Sequence, residues 1–122
     1  MILGIGVDLV STKRMQSVLE RHGSKFTDRF FSEREILDSL KYNDPYARVR
    51  HFAKRFAAKE AYVKARGIGF GRGIEGKDIS VYNDKYGKPV IELHGDNHPN
   101  HKVELSMSDD GDYAIAFVTL HI

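Results

Sequence analysis

Alternation opens this chain. From Ile2 to Val10, Leu3, Ile5, Val7 and Leu9 share one face of an extended segment, and Gly4, Gly6 and Asp8 share the other. The period predicts a strand buried through its aliphatic side. Ser11 or Thr12 then caps a helix with apolar positions Met15, Val18 and Leu19, stopped at Gly23. Phe26, Phe30 and Phe31 anchor the next segment, and Ser32 with Glu35 has capping-box spacing for a short helix near 33–41. The longest helical pattern covers about 46–66, with Asp44 as N-cap, Pro45 at the first helical position and Gly67 just past the end. A helix of about 20 residues spans ~30 Å, enough to be the main rod of a small domain. Val49, Phe52, Phe56 and Val63 fall on one stripe of it, and Glu60 and Lys64 lie together at the edge of that stripe.

Beyond the helix the pattern changes. Gly67, Gly69, Gly71, Gly73 and Gly76 make a glycine-rich loop, and Ile79, Val81 and Tyr82 belong to a strand. Turn chemistry fills Asn83–Pro89, and strands follow at Val90–Leu93, Val103–Met107 and Tyr113–Leu120. An N-terminal strand and helices followed by antiparallel strands give an α+β class. Without repeats, low-complexity segments or a linker, residues 1–122 read as one domain.

Charge sharpens the picture more than composition does. Hydrophobic content is 41% and charged content 30%, both ordinary for a soluble domain. The formal net charge is only +2, yet seven Lys and Arg residues stand between Arg48 and Arg66 around a single acid, Glu60. Basic residues also recur along Lys13–Arg29, while Asp96, Asp109, Asp110 and Asp112 lie in the C-terminal half. That asymmetry points to an acidic partner or a phosphate ligand at one face. The chain has no cysteine, which excludes disulfides, thiolate catalysis and cysteine-ligated zinc and is compatible with a reducing cytosol. Its first residues carry Asp8 and no basic run, so they do not read as a signal peptide, and no apolar run approaches the ~20 residues of a membrane helix.

Two carboxylates stand out. Asp8 interrupts a strand on the face that otherwise offers only glycine, and those glycines are expected to clear space for a ligand beside it. Burying such a group is costly unless it is paired or holds a metal. Glu60 borders an apolar seam one turn from Lys64; an ordinary surface i,i+4 pair is the alternative, worth a few tenths of a kcal/mol. His94, His98 and His101 suggest a zinc cluster only superficially, because they lack the helix of H-E-x-x-H proteins and read as a surface loop.

The string Arg55-Phe56-Ala57-Ala58-Lys59-Glu60-Ala61-Tyr62-Val63-Lys64 resembles the F/W-x-x-K-E-A-x-x-K signature of the 4′-phosphopantetheinyl transferases. Gly4-Ile5-Gly6-Val7-Asp8-Leu9-Val10 resembles the N-terminal signature of the holo-acyl-carrier-protein synthases within that superfamily. Arg14-Met15, Asn83-Asp84-x-x-Gly87-Lys88-Pro89, Ser106-Met107-Ser108 and Tyr113-Ala114 match in order. The resemblance implies transfer of phosphopantetheine from coenzyme A to a serine of an acyl carrier protein, releasing adenosine 3′,5′-bisphosphate, in a cytoplasmic enzyme serving fatty acid biosynthesis.

By motif match, Asp8 and Glu60 would bind Mg²⁺, whose oxygen-only shell suits two carboxylates, pyrophosphate and water. Lys64 would neutralise phosphoryl charge, and Glu60 would take the serine proton directly or through a bound water. Arg55, Lys64, Gly67, Gly69 and Pro89 would contact coenzyme A, with Arg55 as a phosphate clamp. Arg14, Arg21 and Lys25 would dock the acidic carrier on the first helix. Short members of the superfamily are trimers with sites between subunits, which makes a homotrimer the expected assembly. Two positions depart from the family pattern: Ile68 stands where a threonine is frequent, and Asp109 where a histidine is common.

A rival from another class is a small basic RNA-binding module with Phe52 and Phe56 as stacking surfaces; it leaves Asp8 and Glu60 without a task. An inactive coenzyme A-binding relative is the second alternative. Neither a nucleic acid nor a membrane is expected as a partner.

Overall fold

The computed structural model describes residues 1–95 and 100–122. Strand β1 (Ile2–Ser11) leads into helices α1 (Thr12–His22), α2 (Ser24–Phe30), α3 (Glu33–Ser39) and α4 (Pro45–Arg66). A short 3₁₀ turn at Gly76–Asp78 precedes β2 (Ile79–Asn83), β3 (Pro89–Leu93), β4 (Lys102–Asp110) and β5 (Tyr113–His121). The helix ends follow from local chemistry. Ser11 accepts from the Arg14 amide, Ser32 and Glu35 form a reciprocal capping box, and Asp44 accepts from the Tyr46 amide ahead of Pro45. Gly67 closes α4 at φ 73°, a left-handed cap that a side chain would strain. The class is α+β, as expected.

Among the described residues, β1, β5 and β4 form an antiparallel sheet in that order, and β2 pairs with β3 in a separate hairpin. Helix α4 crosses the three-stranded sheet, and it reverses the expected burial of β1. The aliphatic face faces outward: Ile5 and Leu9 are each 61% exposed. It is the glycine face that meets α4, so closely that a Cβ on Gly4 would overlap the Ala65 carbonyl and one on Gly6 the Ala61 carbonyl. The glycines therefore admit a helix backbone, not a ligand. The steps match, since two strand residues advance ~6.7 Å and four helical residues ~6 Å. Gly4 and Gly6 accordingly mesh with Ala65 and Ala61, and Ala57 continues the same row; all three alanines are buried.

The second departure concerns the basic helix. It is no solvated cationic rod: Arg55, Lys59 and His51 are buried along with Phe52, Ala53 and Tyr62. Lys59 is fully buried and gives its ammonium to the carbonyls of Phe30 (2.9 Å) and Gly76 (2.9 Å) and to the Glu35 carboxylate. Glu35, equally buried, also accepts from the Ser32 amide (2.8 Å) and the Val81 amide (3.0 Å). One ion pair thus joins the ends of α2 and α3, the middle of α4, the 3₁₀ turn and β2. Burial pulls the Lys59 pKa down to about 8, with Glu35 opposing, so the group remains charged at neutral pH. Phe52 is buried and Phe56 stacks on Phe30 at 4.7 Å, so neither ring is free for a nucleobase. That observation removes the support for the RNA-binding alternative.

The β1–α4 contact yields a stability test. Gly6→Ala forces a methyl into backbone, beyond ordinary overpacking at about 1–3 kcal/mol, so at least ~3 kcal/mol of unfolding free energy is expected to go. Gly69→Ala, where an added Cβ meets nothing within 4 Å, should stay within about 0.5 kcal/mol of the parent. Urea unfolding of the two variants makes the comparison; a Gly6→Ala protein as stable as its parent contradicts the contact.

Candidate active site

Continuing the Gly4–Gly6 register by one step sets Asp8 against the turn of α4 at Ala57, with Glu60 about one turn along the helix and Lys64 about two. Lys64 reaches across from α4 and donates to the Asp8 carboxylate (3.0 Å) and to the Val7 carbonyl (3.1 Å). Asp8 is shielded, with 16% of its side chain exposed, whereas Lys64 keeps 54%. A half-sheltered carboxylate and an open ammonium therefore stand side by side at the edge of the sheet. Partial burial, and then the neighbouring Asp8 charge, hold the Glu60 pKa above the usual carboxylate range, with Lys64 pulling it back. A Glu60 carboxyl whose ionisation is opposed by the Asp8 charge invites a cation beside the two.

The remaining expected site residues divide. Gly67 and Gly69 are exposed at the end of α4, with open space around both Cβ positions. Pro89 begins β3, paired with Asn83. Arg55 lies inside the fold. It is 2% exposed, spends one guanidinium nitrogen on the His51 carbonyl (3.4 Å), and has the carboxylates of Glu35 and Asp38 as its nearby opposing charges. In this geometry it offers no face to a phosphate. Ile68 packs against the main core, which explains an aliphatic residue at that position. Asp109 pairs with Lys54 (3.0 Å) and lies 3.9 Å from Arg50, so its charge is matched from α4.

Arg14, Arg21 and Lys25 are exposed along α1 and α2. Beside them a cavity of about 480 Å³ is lined by Phe26, Phe30 and Phe70 and rimmed by His22, Lys25 and Arg29. Sequence reading missed Phe70, hidden in the glycine-rich loop where no periodicity marks it. It also missed the alanine row of α4, although Ala57, Ala61 and Ala65 at i,i+4 against Gly4 and Gly6 at i,i+2 was a legible signal. The histidines do not converge: His94 bonds Ser80 (2.7 Å), His101 bonds Tyr62 (3.2 Å), and His98 lies outside the described residues.

The sequence matches the 4′-phosphopantetheinyl transferase superfamily over residues 4–118. The chain belongs to that superfamily. It is 73% identical over 121 residues to a holo-[acyl-carrier-protein] synthase of Anaplasma phagocytophilum, covering 99% of both chains. A holo-[acyl-carrier-protein] synthase of Anaplasma marginale is 66% identical over the full length of both. Among solved structures, the holo-(acyl-carrier-protein) synthase of Bacillus anthracis in complex with CoA (3′,5′-ADP) superposes with a TM-score of 0.87 at 37% identity, covering 98% of this chain and 96% of that one. The Helicobacter pylori enzyme in complex with coenzyme A gives 0.81 at 32% identity, covering 95% and 98%.

For a phosphopantetheinyl transferase the donor set is informative. Among the described residues no group of three or more histidines and acids is gathered anywhere. Asp8 and Glu60 thus offer two carboxylates and no soft ligand. That fits a hard ion which keeps several waters and takes substrate oxygens, as Mg²⁺ does, and does not fit zinc.

The raised Glu60 pKa has a consequence for metal-free protein. A carboxyl whose folded pKa lies above its unfolded value contributes stability that is present below about pH 4.5 and lost as pH rises through the folded value. Glu60→Gln is therefore expected to melt higher than the parent at pH 7 in chelator, with the difference disappearing toward pH 4. Thermal unfolding at both pH values checks this; a variant that melts lower at pH 7 makes Glu60 a structural ion-pair partner instead.

Proposed function

We propose that this chain transfers the 4′-phosphopantetheine group of coenzyme A to a serine hydroxyl of an apo acyl carrier protein, in support of fatty acid biosynthesis. The serine oxygen forms a bond to the β-phosphorus of coenzyme A. The bond from that phosphorus to the bridging oxygen breaks, and adenosine 3′,5′-bisphosphate leaves. The observation that carries the reading is the meeting of Asp8, Glu60 and Lys64 across β1 and α4. It stands in a chain 73% identical to a relative that bears the synthase name.

Asp8 and Glu60 hold Mg²⁺ in this reading. When bound, the ion polarises the phosphoryl group and offsets its charge. Lys64, already turned toward Asp8 and half exposed, neutralises charge that develops on the phosphoryl oxygens. Glu60 takes the serine proton, directly or through a water; burial and the Asp8 charge, which raise its pKa, make it a stronger base than an exposed carboxylate. Gly67, Gly69 and Pro89 lie against coenzyme A, the two glycines because backbone without a Cβ, in open space, lets a phosphate approach closely.

Arg14, Arg21 and Lys25 meet the acidic carrier beside the Phe26–Phe30–Phe70 cavity. A second copy covers the outer sheet face, where Ile5, Val7, Leu9, Ile115 and Phe117 are 41–61% exposed, a contiguous apolar surface unusual for a monomer. The active assembly in this reading is a homotrimer, as the family resemblance implies, and residues 1–122 act in it as one transferase domain. No described helix is long and apolar enough to cross a membrane. The reaction and its partners assign the protein to the cytoplasm.

Incubating the chain with coenzyme A, Mg²⁺ and an apo carrier, then weighing the carrier, tests the reading. The carrier is expected to gain one phosphopantetheine, and Lys64→Ala to lower kcat by ~10²-fold or more. Raising salt, or combining Arg14→Glu with Arg21→Glu, should raise KM for the carrier and spare that for coenzyme A. Light scattering should give three times the 13.9 kDa chain mass. An unmodified carrier overturns the proposed activity, and a fully active monomer the assembly.

A further inference from the structure

We propose that the buried Glu35–Lys59 pair is a positioning device for the transfer reaction, setting the rotation of α4 so that Glu60 and Lys64 face β1. This rests on the reading of Glu60 and Lys64 as reactive groups. Lys59 immediately precedes Glu60, so whatever fixes its ammonium fixes, 100° around the helix, the direction of the next side chain. Both members are 0% exposed. All three donors of Lys59 are used, on Phe30, Gly76 and Glu35, and both oxygens of Glu35 are used, on Lys59, Ser32 and Val81.

A contact so fully determined tolerates little rotation of α4. On the opposite side, the glycine–alanine row fixes how near β1 comes, and the directional bonds there come only from the half-exposed Lys64 ammonium to Val7 and Asp8, at the end of a flexible stem. The Gly76 carbonyl also marks the far end of the loop that starts at Gly67. Lys59 therefore holds both ends of the segment expected at the coenzyme A phosphates: one through its own helix, the other through that carbonyl. A buried ion pair is weak evidence of stability, since neutral residues of similar volume often replace one without loss. Its fivefold bonding is better explained by geometry.

The test uses the full chain with two substitution sets. Glu35→Gln with Lys59→Met removes both charges at nearly constant volume. Glu35→Asp keeps both charges but shortens the carboxylate, so that it cannot span Lys59 and Val81 together. In folded protein, established by circular dichroism well below the melting point, kcat is expected to fall at least tenfold in the neutral pair and at least threefold in Glu35→Asp. KM for the carrier should remain within twofold, because Arg14 and Arg21 lie on α1, which neither member of the pair bonds. Calorimetric Mg²⁺ affinity in the presence of coenzyme A should weaken in parallel, a readout that loss of stability alone does not move in folded protein. If the neutral pair fails to fold, Glu35→Asp decides alone. Wild-type kcat and Mg²⁺ affinity in the folded variants overturn the proposal. Lys64→Ala, run alongside, separates the two failures: normal transfer there removes the site itself, whereas a slow Lys64→Ala beside normal pair variants removes only the positioning role.

Discussion

The structure depends on the contact between two backbones. Strand β1 has no side chain where it meets α4, and α4 answers with alanine at every turn of that face. Removing the Cβ atoms brings the strand close enough for Asp8, the first residue of its inner face with a side chain, to reach Lys64 and feel Glu60. A bulkier spacer would retain the strand and helix yet separate the carboxylates. The N-terminal signature is thus a spacing rule, two glycines that set a distance and an aspartate that uses it.

The other side of α4 is held by charge. Lys59 and Glu35 are sequestered from water, where charge is costly to hold; their bonds to each other and to four backbone groups offset that cost. Dispersion contacts in the aromatic cluster of Phe26, Phe30, Phe31 and Phe56 surround this pair. The helix is consequently packed on almost every side, and Glu60 and Lys64 emerge where that packing leaves an edge. The proposed site lies at the boundary of the core, where the Glu60 carboxylate is sheltered enough to be perturbed and open enough to be reached.

Much of this was legible in the sequence, because caps and periodicity are local. Ser11, Ser32, Asp44 and Gly67 do what their positions require, and the strands fall where alternation put them. What failed was the side on which elements bury themselves. Alternation in β1 distinguishes two faces but not which one is inside, and the usual rule that aliphatic residues go inward gives the wrong answer when glycine is needed for a backbone contact. The basic run misled for a related reason. Counting charges treats Lys59 and Arg55 like Lys64, whereas partners distant in sequence, Glu35 above all, draw the first into the core and burial encloses the second. The proposed Asp8–Glu60–Lys64 site rests on motif resemblance; the geometry adds the reason these residues stand together.

The central claim is that Asp8 and Glu60, brought together by the β1–α4 contact, jointly hold the divalent cation. Electron paramagnetic resonance with Mn²⁺ as the probe, in the presence of coenzyme A, tests it most directly. The account predicts one bound Mn²⁺ per wild-type chain, and loss of that binding in Asp8→Asn and in Glu60→Gln alike, each variant remaining folded. Undiminished Mn²⁺ binding in either folded variant would contradict it.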